Sequence, residues 1–240
     1  MSRKIKFWTS SIYLKEKQDF PKPIKTNIPD WFKKLQHQPE KQTVKGCIPF
    51  LETLTTGYVL NLPQDFHLQH NVFVNNEKVS KLHPSLMQKR NTNLNIKNEE
   101  ECHPTGQFKD SPLEKKNLNL SAHKILNPWV IKTPPGYSCL FVPPLNNSDD
   151  RFSIISGIVN TDIFAQEINF PFIVNGDKYP VLDTVLQKGI PYVQVIPFKR
   201  DSWEMEIGEI PKEDRVNLWS WTLNKLHVYK KKVWDKQSWI

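Results

Sequence analysis

Seven polar side chains stand out at the turns and within the apolar strands of the block between Asn127 and Trp203: Lys132, Tyr137, Asn146, Asn160, Asp162, Gln194 and Arg200. A polar group set inside an apolar strand needs a partner, supplied by the protein, an oligomer seam or a ligand. As ligand-binding residues, Lys132 or Arg200 would hold an anion and Asp162 would act as acid or base. Their spacing within one block of about 75 residues predicts a shared cleft that takes a small polar ligand.

Other chemistries find less support. The histidines are His37, His67, His70, His83, His103, His123 and His227. His67 and His70 lie three apart on a predicted strand, so they face opposite sides and do not share a metal. His103, with Gln107 following, is the one metal candidate kept, and no cofactor is expected. The chain has no GxSxG, GxxxxGK[ST] or GxGxxG, and its eight glycines leave little material for a phosphate-cradling loop. Cys47, Cys102 and Cys139 form no CxxC, which points to free thiols in a reducing compartment. Cys47 and Cys139 sit in apolar runs and are expected to be buried.

The elements that must position these residues read as short strands separated by Pro-Pro-Gly, Asn-Asn and Lys-Gly turns. That rhythm predicts a mainly β domain, an antiparallel barrel or sandwich of jelly-roll or β-clip style. Strands are expected at Ile5–Trp8, Gly46–Leu51, Gly57–Leu62 and Asp65–Val74, with a hairpin turn at Asn75-Asn76. Residues 1–45 form an extended arm carrying a short helical turn at IPDWFKK. Residues 46–206 form the β domain, interrupted by an irregular, Asn-, Lys- and Glu-rich insertion at about 78–123. Residues 207–240 form a C-terminal helix, with Trp219, Leu223, Leu226 and Val233 as the stripe that packs on the sheet.

Several segments carry a resemblance. IPDWFKK, CIPFLETLTTGYVL, NPWVIKTPPGYSCLF, GIVNTDIFAQEINFPF and KGIPYVQVIPFKRDSWE together resemble a family of phage and other viral proteins, particularly from marine environments. More distantly they resemble a bacterial domain family without an assigned activity. The likeness covers most of the chain and is least at residues 75–122. Gly157–Phe164 and Lys188–Gln194 also resemble segments of the dUTPase and dCTP-deaminase β-clip fold. Asp162 and Gln194 match that pattern. Asn160 stands where it has the water-activating Asp, and an amide cannot serve as a general base. Pro144-Leu145-Asn146 replaces its Ser-Gly phosphate motif. This second resemblance implies the fold and its assembly habit without the hydrolysis.

The chain has 240 residues, 38% of them hydrophobic, and a formal charge of +8. The low apolar share fits a domain with an arm and loops. The lysines are spread along the chain, so a solvated surface is favoured over a nucleic-acid partner. No apolar run reaches 18 residues and the first residues do not read as a leader, which predicts a cytoplasmic protein without a membrane segment. The expected function is a non-catalytic viral accessory or structural protein that binds a small polar ligand or a protein partner, possible as a homo-oligomer. An enzyme acting on nucleotides or other small polar substrates is the alternative, and a metal-dependent enzyme using His103 ranks third.

Overall fold

The computed structural model describes residues 3–9, 17, 20–38, 40, 42–84, 100–212, 214 and 229–240. These residues are mainly β, and every strand pairing is antiparallel. A pair is formed by β1 (Lys6–Trp8) and β8 (Val130–Lys132). A five-stranded sheet has the order β11 (Gly157–Val159), β9 (Tyr137–Val142), β14 (Pro191–Lys199), β3 (Tyr58–Asn61), β2 (Lys22–Pro23). A four-stranded sheet has the order β10 (Phe152–Ile154), β12 (Phe170–Val174), β7 (Ala122–Ile125), β6 (Glu100–His103). A three-stranded sheet has the order β13 (Leu182–Leu186), β4 (Phe66–Val74), β5 (Glu77–Pro84). Among the described residues no sheet closes on itself, so the arrangement is sandwich-like and not a barrel.

One core joins the four sheets. Phe141 on β9 and Tyr192 on β14 both meet Phe170 on β12, with ring centroids 5.3 and 5.8 Å apart. The five- and four-stranded sheets thereby face each other through large aromatic side chains, which bury much area per residue. Leu60, Phe66, Leu68, Ile125, Ile131 and Leu186 complete this cluster from the remaining strands. Tyr192 is the extra residue of a bulge between Pro191 and Val193. Bulges change which face successive residues address, and here Tyr192, Val193 and Val195 all enter the core.

Two segments differ from the expectation of a strand. Residues 46–51 form no strand: a 3-10 turn at Val44–Gly46 leads through Cys47 into α2, which spans Ile48–Thr55 with Pro49 in its first turn. A short apolar run such as Ile48–Leu51 fits either period, and proline at the helix start is tolerated because that N–H has no partner there. Ile48 and Leu54 bury one side of α2, while Phe50 stacks on Phe32 of α1 (Asp30–Lys34) at 5.9 Å. The second difference is at Asn160-Thr161-Asp162, which leave β11 in a turn closed by Ile163 N–H donating to Asn160 O at 3.0 Å.

The hairpin at Asn75-Asn76 is present, and both asparagines take positive φ (51° and 65°), the geometry of a type I′ turn. Within 78–123, the described residues include most of β5, then β6, the short helix α3 (Pro112–Lys116) and β7, which is an inner strand of its sheet. The segment is thus built of regular elements at both ends. The stripe residues Trp219, Leu223 and Leu226 lie outside the described residues. Tyr229–Val233 forms a π-helical turn, after which Trp234 Nε1 donates to Glu52 Oε1 (2.6 Å) and Tyr58 Oη donates to Ile240 O (3.2 Å). No described helix is long and apolar enough to cross a membrane.

Candidate functional site

The seven polar residues of the strand block separate into two groups. Lys132, Tyr137, Asn160, Asp162 and Arg200 meet at one end of the β9–β14 ladder. Asn146 and Gln194 meet six positions back along β14, about 20 Å away at the rise of an extended strand.

The first group is built around a turn. Pro134-Pro135-Gly136-Tyr137 closes with Tyr137 N–H donating to Pro134 O (3.2 Å), and Gly136 takes φ +81°. Proline at the second position and glycine at the third is the type II pattern. The Gly136 N–H points at the neighbouring 160–162 turn and donates to Asp162 Oδ2 at 2.8 Å. Arg200, one residue past β14, completes the clamp: Nη1 donates to Asp162 Oδ1 (2.8 Å) and Nη2 to Oδ2 (2.5 Å), a two-pronged pair. Arg200 Nη1 also donates to Tyr137 O and Ser138 Oγ, each at 3.0 Å, and Ser138 Oγ donates to Asn160 Oδ1 at 2.8 Å. Lys132 Nζ donates to Asp162 O at 3.2 Å. The Arg200 guanidinium and then the Gly136 N–H hold the Asp162 carboxyl down at about 2.

That arrangement decides the chemistry. The Asp162 side chain is 7% exposed and accepts from three donors while its charge is matched by Arg200. A carboxylate held so low is a poor base near neutral pH. Arg200 in turn has its fork filled by a carboxylate, so it offers little charge to an incoming anion. Tyr137 contributes its backbone carbonyl here, and its ring lies beneath the Arg3 guanidinium at 5.0 Å.

The second group is an internal tie. Gln194 is fully buried, its Nε2 donating to Thr53 O (3.1 Å) and Thr56 O (2.8 Å), and its Oε1 accepting from Leu145 N–H (2.9 Å). It binds the carboxyl end of α2 to the 144–147 turn. Asn146, at φ 56°, donates from Nδ2 to Thr53 Oγ1 at 2.7 Å, and Asn147 Nδ2 reaches Asn27 O at 3.1 Å. The loop where the β-clip resemblance would place phosphate is stapled to α2 and to the arm.

His103 stands apart on β6, with Nδ1 2.6 Å from Gln107 Oε1 and its ring edge-on to Phe108. Among the described residues no three His, Cys, Asp or Glu side chains gather closely enough to hold a metal ion. Cys139 is buried, which pushes its thiol up to about 11 against a hydrogen bond from Thr161. Cys47, expected inside, is exposed because its apolar neighbours turn away from it in α2.

Two further groupings were not visible as such in the sequence. His70 and His123, both buried, share Ser80: its Oγ lies 3.1 Å from His70 Nδ1 and 3.0 Å from His123 Nε2. Burial lowers each imidazole to about 4, so both are neutral near pH 7. The alternation of β4 places His70 on the core face, a signal the sequence does carry. The second grouping is a cavity of about 550 Å³ lined by Lys33, Lys34, Leu35, His37, Lys45 and Lys230 among others. Its residues come from three separate segments, and only the Lys33-Lys34 pair marks it locally.

Comparison with known proteins adds no assignment: no family model matches the chain, and no curated protein matches it.

Proposed function

We propose that this chain is a non-catalytic accessory or structural protein of viral type that acts by binding. The observation that carries this reading is the Asp162–Arg200 pair. The only carboxylate of the expected cleft is saturated by Arg200 and Gly136, and Lys132, Asn146, Asn160 and Gln194 bond to backbone groups or to the Thr53 and Ser138 hydroxyls. A site prepared for substrate keeps donors and acceptors directed at the place where the reacting atoms will lie. Here they are directed at the protein.

In finer detail we assign the β domain to the jelly-roll or β-clip style, with the C-terminal segment packed on it as a helix. The antiparallel open sheets and the anchoring of Trp234 on Glu52 support that assignment. The viral attribution rests on the resemblance of the IPDWFKK, NPWVIKTPPGYSCLF and KGIPYVQVIPFKRDSWE segments. Such a protein would reside in the host cytoplasm or in the particle.

Thermal-shift measurement against nucleoside mono-, di- and triphosphates and divalent metals tests the reading, since a ligand selective for the native state raises Tm. No change across both panels is expected. A nucleotide-dependent rise that disappears in Asp162→Asn would establish the enzyme alternative instead.

A further inference from the structure

Beyond β14, Asp201–Ile210 form no helix or strand, are exposed throughout and make no backbone hydrogen bond among the described residues. Trp203, Met205 and Ile207 alternate along it and are 90%, 84% and 87% exposed. Between and around them stand Asp201, Glu204, Glu206 and Glu209, with no lysine or arginine. Three large apolar side chains held in water at every second position are costly unless another surface covers them. A segment with unpaired backbone groups and alternating apolar and acidic side chains is also material from which peptides dock on other proteins.

The same chain presents a surface of opposite character. The cavity between α1 and the turn at Val44–Gly46 is lined by Lys33, Lys34, Lys45 and Lys230, and no carboxylate lines it among the described residues. It is shaped by specific contacts. Thr43 N–H donates to His37 Nδ1 (3.0 Å), and the Cε1–Nε2 edge of the His37 ring lies against Gly46, where a Cβ would come within 2.3 Å of it. Lys45 Nζ donates to Lys33 O at 2.7 Å, joining the two walls. Apolar surface accompanies the charge: Leu35 and Ile48 line the cavity, and Trp31 and Val44 beside it are 47% and 41% exposed.

We infer that the acidic-apolar segment 201–210 of one molecule docks in the lysine-lined groove of a second copy of this chain. Charge complementarity selects the occupant: Asp201 already pairs with Lys199 and Lys33 with Asp30, which leaves Glu204, Glu206 and Glu209 to meet Lys34, Lys45 and Lys230, and each surface carries apolar side chains to pack on the other. Every molecule supplies both halves, and the segment does not occupy its own groove, since its side chains are exposed. Reciprocal exchange closes a dimer, whereas a one-way contact continues into a ring or filament. The inference adds to the binding role proposed above a named surface and partner, and it stands or falls independently of the nucleotide panel.

Sedimentation velocity with light scattering on the full chain provides the test. Self-association is expected at low salt, at least about tenfold weaker when salt rises from about 0.05 to about 0.5 M, because the contact joins exposed charges. Glu204→Lys/Glu206→Lys is expected to be monomeric, and so is Lys34→Glu/Lys230→Glu. All four changes in one chain restore association, since the attraction is rebuilt with signs exchanged. These side chains are exposed or at the cavity rim, so the fold is retained, as a circular dichroism melt will verify. A wild-type chain that stays monomeric at high concentration and low salt overturns the proposal. Failure of the four-site variant to reassociate overturns it equally, and heparin binding by a monomer assigns the groove to a foreign polyanion.

Discussion

At the residue scale, a buried amide such as Gln194 is distinguishable from a ligand-binding one by what its loss leaves behind. Gln194→Ala would strand the Leu145 N–H and the carbonyls of Thr53 and Thr56. Unpaired buried groups of this kind cost about 1–3 kcal/mol each at most, so a loss of about 3 kcal/mol is expected in urea unfolding. Asn146→Gly keeps the positive φ and removes one exposed bond, and should cost less than about 1 kcal/mol. Equal effects from the two would contradict the internal tie. Thiol reactivity offers a second check. At mildly alkaline pH a maleimide should label exposed Cys47 readily, and leave Cys139 untouched until the chain is unfolded.

At the scale of elements, the junction of α2 and β3 is fixed by Gly57. It takes φ +82°, and a Cβ there would lie 2.2 Å from Val195 O on the central strand β14. Gly57→Ala adds left-handed strain to a backbone clash that no rotamer relieves, so a loss of at least about 2 kcal/mol is expected. Gly136→Ala shares the strain but meets nothing within 4 Å, and its smaller loss calibrates the clash. The same region shows how far the sequence carries. Gly57 was legible as a turn, and Gly57–Leu62 as a strand, because the glycine precedes a clear apolar run. The Ile48–Thr55 stretch was not, because eight residues with Pro49 and two threonines satisfy neither period. What makes it a helix is the packing of Phe50 on Phe32 and the two carbonyls at its end captured by Gln194. Those partners lie far away in the chain. Similarly, β6 and β7 have too few apolar residues to announce themselves, and are defined by pairing with one another and with β12.

At the scale of the whole molecule, the buried histidines set a pH limit. Each titrates near 6.5 when unfolded and at about 4 when folded. A depressed histidine value means the unfolded chain binds the proton first. Stability is therefore complete above about pH 6.5 and falls as the pH drops from 6.5 toward 4, by at most about 3 kcal/mol per histidine. Urea midpoints at about pH 7 and about pH 5 will show the slope, and His70→Gln/His123→Asn should flatten it. Asp162 acts in a lower window: its stabilisation is present above its ordinary value of 3.8 and is lost as pH falls toward 2. The sequence showed correctly that the polar residues of the strand block needed partners. It could not show that the partners were Gly136, Thr53 and one another, because these come together only when β9, β14 and α2 are assembled.

Trp234 is fastened to Glu52 of α2 and Ile240 to Tyr58 of β3, so residues on both sides of the exposed 201–210 segment are held to the same core. A glutamate-specific protease that cuts at Glu204 or Glu206 would meet an open, exposed target. The two products should then elute together from a sizing column under native conditions and part only in denaturant, so an intact-looking peak is no proof of an uncut polypeptide.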